Sequence, residues 1–324
     1  MTPTTTPNWI EASLALERAY RILIVAHVSP DGDAIGAILS LGNALKARGK
    51  HVDMAVDGGV PDFADFIPGA GMVKSDLDSG EWDAMVALDS SDQERLGRCG
   101  AYGMAHSRVV INIDHHPSNT YYGNYHIVIP EAVSTTEILQ GWFVRLGIPL
   151  TPEIATPLLT GLLTDTIGFR TSSVHAGTLA LAQALIAAGA PYAEVVQRTL
   201  NSKGYRAIML WQRVLSTVKL DGGIISAVVR KADWQAVGYH DETDAGLVGY
   251  LIATDEAKIA IVYKETENGS IDLSMRAKVG CDVAEVAVAL GGGGHKQAAG
   301  ANIPGGIEEA MARVQPLLRA ALRC

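Results

Sequence analysis

Four short apolar runs, separated by helical or turn material, restrict this chain to a narrow class of folds. They are RILIVAHV (21–28), HVDMAVD (51–57), WDAMVALD (82–89) and RVVINID (108–114). A strand buried on both faces reads as an unbroken apolar run, whereas a half-exposed strand alternates. Such strands joined by helical crossovers make a parallel sheet covered by helices. The first crossover is legible in detail, because Asp33 to Arg48 has helical spacing and stops at Gly49.

From Thr135 to about Leu200 the sequence turns mostly helical, through PEIATPLLTGLLTDT, HAGTLALAQALIAAG and PYAEVVQRTL. KGYRAIMLWQRVLSTVKL (203–220) then reads as one helix, broken by Asp221-Gly222-Gly223. Beyond it the texture changes. ISAVVR, AKIAIVYKE and SIDLSMRA read as strands, the last two joined as a hairpin through Glu267-Asn268-Gly269. DVAEVAVAL precedes a glycine-rich loop, and IEEAMARVQPLLRAAL is a terminal helix. The expected fold is α/β: an N-terminal parallel-sheet domain with helices on both faces (1–200), a linker helix (201–223) and a smaller C-terminal α/β domain (224–324). A chain of 324 residues is long enough for two such cores.

Charge narrows the partners. A net charge of -9 and a pI near 5.5 disfavour a protein that coats long duplex nucleic acid, which needs many Lys and Arg contacts to phosphates. The region from Gly222 onward also holds more acids than bases, so any nucleic acid it grips is expected to be short. Aromatic residues make up 6% of the chain, too few to advertise a long stacking track for single strands. Cys99, Cys281 and Cys324 are far apart and in no CxxC arrangement, which excludes a disulfide framework or zinc ribbon and fits a reducing cytoplasm. The N-terminal MTPTTTPNWIEASLAL lacks a basic segment followed by an apolar stretch, and no apolar run is long enough to span a bilayer. The expectation is a cytoplasmic protein with no membrane partner.

Three of the predicted strands run into acids and histidines: His27, Asp31 and Asp33 after the first, Asp89 after the third, and Asp114, His115 and His116 after the fourth. In an open parallel sheet the carboxyl ends of the strands share one edge, and ligands bind there. Asp165 adds a carboxylate at the apparent end of a helix. A single Asp after a strand is most often a helix cap. Repetition at one sheet edge instead marks a site. Asp31, Asp33, Asp89 and Asp165 together would repel strongly in a partly dehydrated cleft, and two divalent cations would balance their charge. Oxygen and imidazole ligands suit manganese-like ions better than calcium or structural zinc. A bridging carboxylate would hold such a pair roughly 3.5 to 4 Å apart, as in two-metal phosphoester hydrolysis. No serine lies in a GxSxG elbow, so a serine hydrolase is not indicated.

In order, His27-Val28-Ser29-Pro30-Asp31-Gly32-Asp33, Asp89, Asp114-His115-His116 and Asp165 resemble the four motifs of the DHH phosphoesterase superfamily. Ser274-Met275-Arg276 and Gly291-Gly292-Gly293-Gly294-His295-Lys296-Gln297-Ala298-Ala299-Gly300 are similar to the Ser-Leu-Arg element and GGGH loop of its DHHA1 module. Within the superfamily the compact length resembles the nanoRNase group, the bifunctional oligoribonucleases and pAp phosphatases, rather than the longer RecJ exonucleases. Two departures are Ser-Met-Arg-Ala for Ser-Leu-Arg-Ser, and Ile167 where Gly is usual.

The resemblance implies that residues 1–200 form the catalytic domain and 224–324 the substrate-binding domain. It implies that His27, Asp31 and Asp89 hold one metal, and that Asp33, Asp89, His115 and Asp165 hold the other. Asp89 would be the bridge, with manganese favoured over magnesium or cobalt. Asp89, His115, His116 and Asp114 would carry the catalysis, Asp114 by orienting a neighbour and His116 by meeting the scissile phosphate or the leaving oxygen. His116, Arg170, Arg276, Gly292, Gly293, Gly294, His295 and Lys296 would contact substrate. The implied activity is two-metal hydrolysis of short single-stranded RNA, dinucleotides and the 3'-phosphate of pAp, with a homodimer compatible with the family. Two alternatives are a phosphodiesterase for cyclic or linear dinucleotides such as c-di-AMP and pApA, and a non-catalytic nucleotide-binding regulator.

Overall fold

A computed structural model describes residues 6–239 and 243–322, so Cys324 and the first five residues of the N-terminal segment lie outside the described residues. The chain divides into two compact units after Ser202.

The first unit is built on a six-stranded sheet: β1 (Arg21–Ala26), β2 (His51–Ala55), β3 (Val73–Lys74), β4 (Ala84–Leu88), β5 (Val110–Asp114) and β6 (Tyr125–Val128). Its order is β3-β2-β1-β4-β5-β6, and every neighbouring pair is parallel. Successive side chains of a strand point to opposite faces, and both faces are buried here. Ile22, Ile24 and Ala26 join one apolar core with α1 (Trp9–Arg18), α2 (Gly32–Ala47), α4 (Thr135–Leu146), α5 (Pro152–Asp165), α6 (Ala176–Ala187) and α7 (Tyr192–Thr199). Leu23 and Val25 join a second core with Cys99 of α3 (Gly97–Ala105). That double burial explains why the strands read as unbroken apolar runs.

The second unit holds another six-stranded sheet, ordered β11-β12-β10-β9-β8-β7. Its strands are β7 (Lys219–Asp221), β8 (Ile224–Val229), β9 (Ile259–Glu265), β10 (Ser270–Ala277), β11 (Gly293–His295) and β12 (Ala298–Pro304). Only β8 and β9 pair in parallel. One face packs on α11 (Val283–Ala289) and α12 (Ile307–Ala321). The other packs, over β8 and β9, on α8 (Tyr205–Val214), α9 (Lys231–Val237) and α10 (Leu247–Leu251).

Three details differ from the sequence reading. The helix expected over 203–220 stops at Val214, and Lys219–Asp221 is a strand paired antiparallel with β8. Ala207, Leu210 and Val214 pack in the second unit's core, so the stretch expected as a linker is part of that unit. Gly293 to His295, expected as loop, forms a strand against β12. The reason is close approach: a Cβ at Gly292 would stand 2.1 Å from the Gly300 carbonyl oxygen, and one at Gly294 2.5 Å from that of Ala298.

Candidate metal centre

The carboxyl edge of the first sheet gathers the expected residues. His27 follows β1 and Asp89 follows β4, while Asp114 ends β5 with His115 and His116 next in the chain. Asp31 is the N-cap of α2: its Oδ1 accepts from the Asp33 and Ala34 amides, each at 3.0 Å. The cap and the candidate ligand are therefore one residue. Asp33, in the first turn of α2, and Asp165, at the end of α5, meet because those two helices pack closely. Glycine permits this approach. A Cβ on Gly36 would come within 2.4 Å of the Pro157 carbonyl oxygen, and one on Gly161 within 2.4 Å of Asp33 Oδ1.

Asp89 lies at the centre. Its Oδ2 is 3.5 Å from His27 Nε2, and its Oδ1 is 3.6 Å from His115 Nε2 and 3.7 Å from His116 Nδ1. His27 Nε2 is also 3.9 Å from Asp31 Oδ1, and His115 Nε2 is 3.2 Å from Asp165 Oδ2. Within the first unit three groups have ligand atoms close enough to share an ion: His27, Asp31 and Asp89; Asp33, His115 and Asp165; and Asp89, Asp114 and His116.

Electrostatics match a nest for cations. Burial, with the charges of Asp89 and Asp165, drives Asp33 well above the ordinary carboxylate range. Burial likewise pushes Asp165 up to about 6, against the pull of His115. Burial opposes charge on His27, but the Asp89 hydrogen bond and the Asp89 and Asp31 charges outweigh it and raise its pKa to about 9. For His115, burial is similarly overcome by Asp165, Asp89 and Asp33, and its pKa lies well above 6.5. Asp89 is also desolvated, yet the His27 hydrogen bond and three imidazole charges hold it well below the ordinary range. The crowded carboxylates favour bound positive charge, and the cluster's oxygen and imidazole donors, with no thiolate, are of the type that suits a manganese-like divalent ion.

Asp114 faces other partners. Its Oδ1 accepts from His116 Nδ1 at 2.7 Å and from the His115 amide at 2.9 Å, while Oδ2 accepts from Asn119 Nδ2 at 2.7 Å. Asn119 is itself buried and accepts from Asn112 Nδ2 at 3.0 Å. This arrangement fixes the His116 ring; Asp114 is close enough to Asp89 and His116 to share an ion with them, but both of its oxygens already accept hydrogen bonds.

Several supporting residues escaped the sequence reading. Thr135 donates from its amide to Asp33 Oδ2 at 2.6 Å and from its hydroxyl to Asp89 Oδ1 at 3.0 Å. Thr136 donates to Asp33 Oδ1 from its hydroxyl at 2.7 Å and its amide at 3.1 Å. The first turn of α4 therefore points its donors at the carboxylates, as helix N-termini do with anions. Ser134-x-x-Glu137 carried a signal for that helix start. Arg170 is exposed, and its Nε donates to the Ile167 carbonyl at 2.6 Å.

The remaining expected substrate residues belong to the second unit. Register aligns Arg276 of β10, Ala298 of β12 and His295 of β11 in one row across the sheet, and Ser274, Gly300 and Gly293 in the next. Residues opposed in this way share a face. Arg276 is half-buried, whereas His295 and Lys296 are exposed. Burial lowers the Arg276 pKa, and among the described residues its guanidinium forms no ion pair, donating from Nη1 to the Met275 carbonyl at 3.0 Å.

Residues 21–162 match the DHH family N-terminal domain, and residues 221–323 match the DHHA1 domain. A "Bifunctional oligoribonuclease and PAP phosphatase NrnA" from Thermus thermophilus is 35% identical over 303 residues, 92% of this chain and 89% of the relative. The chain belongs to the DHH family. Among solved structures of similar fold, an exopolyphosphatase-related protein from Bacteroides fragilis superposes with a TM-score of 0.87 at 26% identity, covering 99% of this chain and 98% of that one. RecJ of Thermus thermophilus, solved in complex with Mn2+, superposes at 0.55 and 15% identity, covering 95% of this chain and 54% of RecJ. Relative to the DHH pattern, Ile167 has a local cost: it takes a φ of 50°, a left-handed conformation unfavourable for a β-branched residue.

Proposed function

We propose that this protein is a cytoplasmic phosphoesterase, active with two manganese ions, that trims short oligoribonucleotides and removes the 3'-phosphate of pAp. The observation that carries this reading is the position of Asp89, whose two oxygens face different histidines between two ligand groups. The name of the 35% identical relative supports the substrate class. No single described helix is long and apolar enough to cross a membrane. The enzyme acts as a monomer or homodimer on single strands of a few nucleotides.

In this reading His27, Asp31 and Asp89 hold one ion, and Asp33, Asp89, His115 and Asp165 the other. When bound, the ions lower the pKa of the attacking water and neutralise charge on the phosphate oxygens. The chain's own residues do the rest. Thr135 and Thr136 hold Asp33 and Asp89 in place through their donors. Asp114, held by Asn119, keeps His116 Nδ1–H directed at itself, which leaves Nε2 to donate a proton to the leaving oxygen. Burial opposes charge on His116, but the Asp114 hydrogen bond and the Asp114 and Asp89 charges outweigh it and raise its pKa, which favours the protonated ring that this role needs. Arg276 and the backbone from Gly292 to Gly294, with His295 and Lys296, bind a substrate phosphate on the second unit. Arg170 adds a further phosphate contact.

The test is hydrolysis of a labelled diribonucleotide and of pAp in manganese. Both activities should be present in the wild type and fall to background in Asp89→Ala and His115→Ala. Activity that survives in those variants would remove the centre assigned here.

A further inference from the structure

Lys264 is an unusual component of the second sheet. It lies on β9, is 5% exposed, and shares its face with residues of β10. A buried ammonium is costly unless it is paired and hydrogen-bonded. Lys264 Nζ has both kinds of partner: it forms an ion pair with Asp272 and donates to Ser274 Oγ at 2.9 Å. Asp272 lies opposite it in register, and Ser274 is the next residue of β10 on the same face.

The consequence falls on Ser274. A serine oxygen that accepts from an ammonium has its own hydrogen left to give, and among the described residues that hydrogen meets no acceptor. Ser274 is half-buried, and Arg276 follows two residues later on the same face, roughly 6.6 Å further along the strand. Arg276 brings to that face a partly desolvated guanidinium that feels the charge of Asp244 but forms no salt bridge among the described residues. The adjoining row presents Gly300 and Gly293 beside Ser274, so no side chain crowds the hydroxyl from β12 or β11.

We propose that Lys264 is a positioning residue for phosphate recognition. By occupying the Ser274 oxygen it fixes the Ser274 hydroxyl as an outward donor, which works with Arg276 on one phosphate group of a nucleotide. The assignment of that phosphate to a substrate rests on the function proposed above. The anion-binding face itself does not require turnover.

Two measurements separate these statements. The first is binding of adenosine 5'-monophosphate and of adenosine to the full chain by calorimetry in chelator, where the metal centre contributes nothing. The wild type should prefer the monophosphate. Lys264→Met and Ser274→Ala should each weaken monophosphate binding about tenfold, the scale of one hydrogen bond to a charged group. The double variant should be no weaker than Lys264→Met alone, because both changes remove the same donor. Multiplying losses in the double variant, or equal binding of nucleoside and nucleotide by the wild type, would overturn the proposal.

The second measurement is pAp hydrolysis in manganese, where the single variants should raise KM about tenfold and leave kcat within about twofold. A fall in kcat with KM unchanged would overturn the positioning role. Ser274→Ala deletes one half-buried oxygen, so wild-type nucleotide affinity in that variant refutes the idea even if Lys264→Met does not fold. A wild type that binds the monophosphate in chelator but cleaves no pAp defeats the substrate assignment and leaves the face intact.

Discussion

Asp89 takes a φ of 56°, a left-handed conformation that Asp tolerates better than most residues. From there its carboxylate meets His27, His115, His116 and Thr135. That these residues meet at one edge was legible in the sequence because a residue at the end of a parallel strand has a known place at the ligand edge. Thr135, Thr136 and Asn119 were not, since which helix start or loop amide reaches a carboxylate is decided by tertiary packing. Proton linkage at this site gives a prediction with a definite sign. His27, His115 and His116 all have raised pKa values in the folded chain. Each therefore contributes stability that is full below its ordinary pKa of 6.5 and is lost as pH rises, for His27 through about 9. In chelator, the Tm of the wild type should lose ground to a His27→Ala variant between about pH 6.5 and 9. Manganese should raise the wild-type Tm more at the upper end of that window, because the ligands must first shed protons. A wild-type advantage that is independent of pH would contradict the assigned shift.

Helix packing, rather than ligand chemistry, decides whether the first unit's carboxylates converge. Gly161 of α5 faces Asp33 of α2 so closely that an added methyl group would meet the carboxylate at 2.4 Å. The same methyl group would meet the side chain of Thr136, which donates to Asp33, at 2.5 Å. Gly161→Ala should therefore displace Asp33 and weaken manganese binding tenfold or more, on the scale of changes around metal ligands. Overpacking should cost about 1–3 kcal/mol of stability as well. Manganese titration and thermal melting measure the two effects, and unchanged affinity would show that α2 and α5 do not set Asp33. Elements differed in how well the sequence announced them. The strands of the first unit and the hairpin of β9 and β10 were plain, because double burial and Asn-Gly chemistry leave local marks. The end of α8 was missed because Val218 and Leu220 prolong an apolar pattern that the chain carries on into a strand. β11 was missed because glycine, chosen for close approach to β12, also reads as loop.

On the scale of the molecule, two α/β units divide the chemistry. The first offers a buried carboxylate and imidazole cluster, and the second a half-buried arginine on a polar sheet face. The first matches the DHH family N-terminal domain and the second the DHHA1 domain. The net charge of -9 fits a protein that admits short anions at local sites instead of along a broad basic surface. Fold class and family were thus open to sequence reading, while Lys264, placed by strand register beneath Ser274, became visible only with the sheet assembled. The central claim is that the edge around Asp89 is a two-ion site. Anomalous scattering from manganese-soaked crystals tests it most directly. Two peaks sharing Asp89 are expected, one beside His27 and Asp31, the other beside Asp33, His115 and Asp165; an Asp89 without manganese in a well-ordered soaked crystal would contradict it.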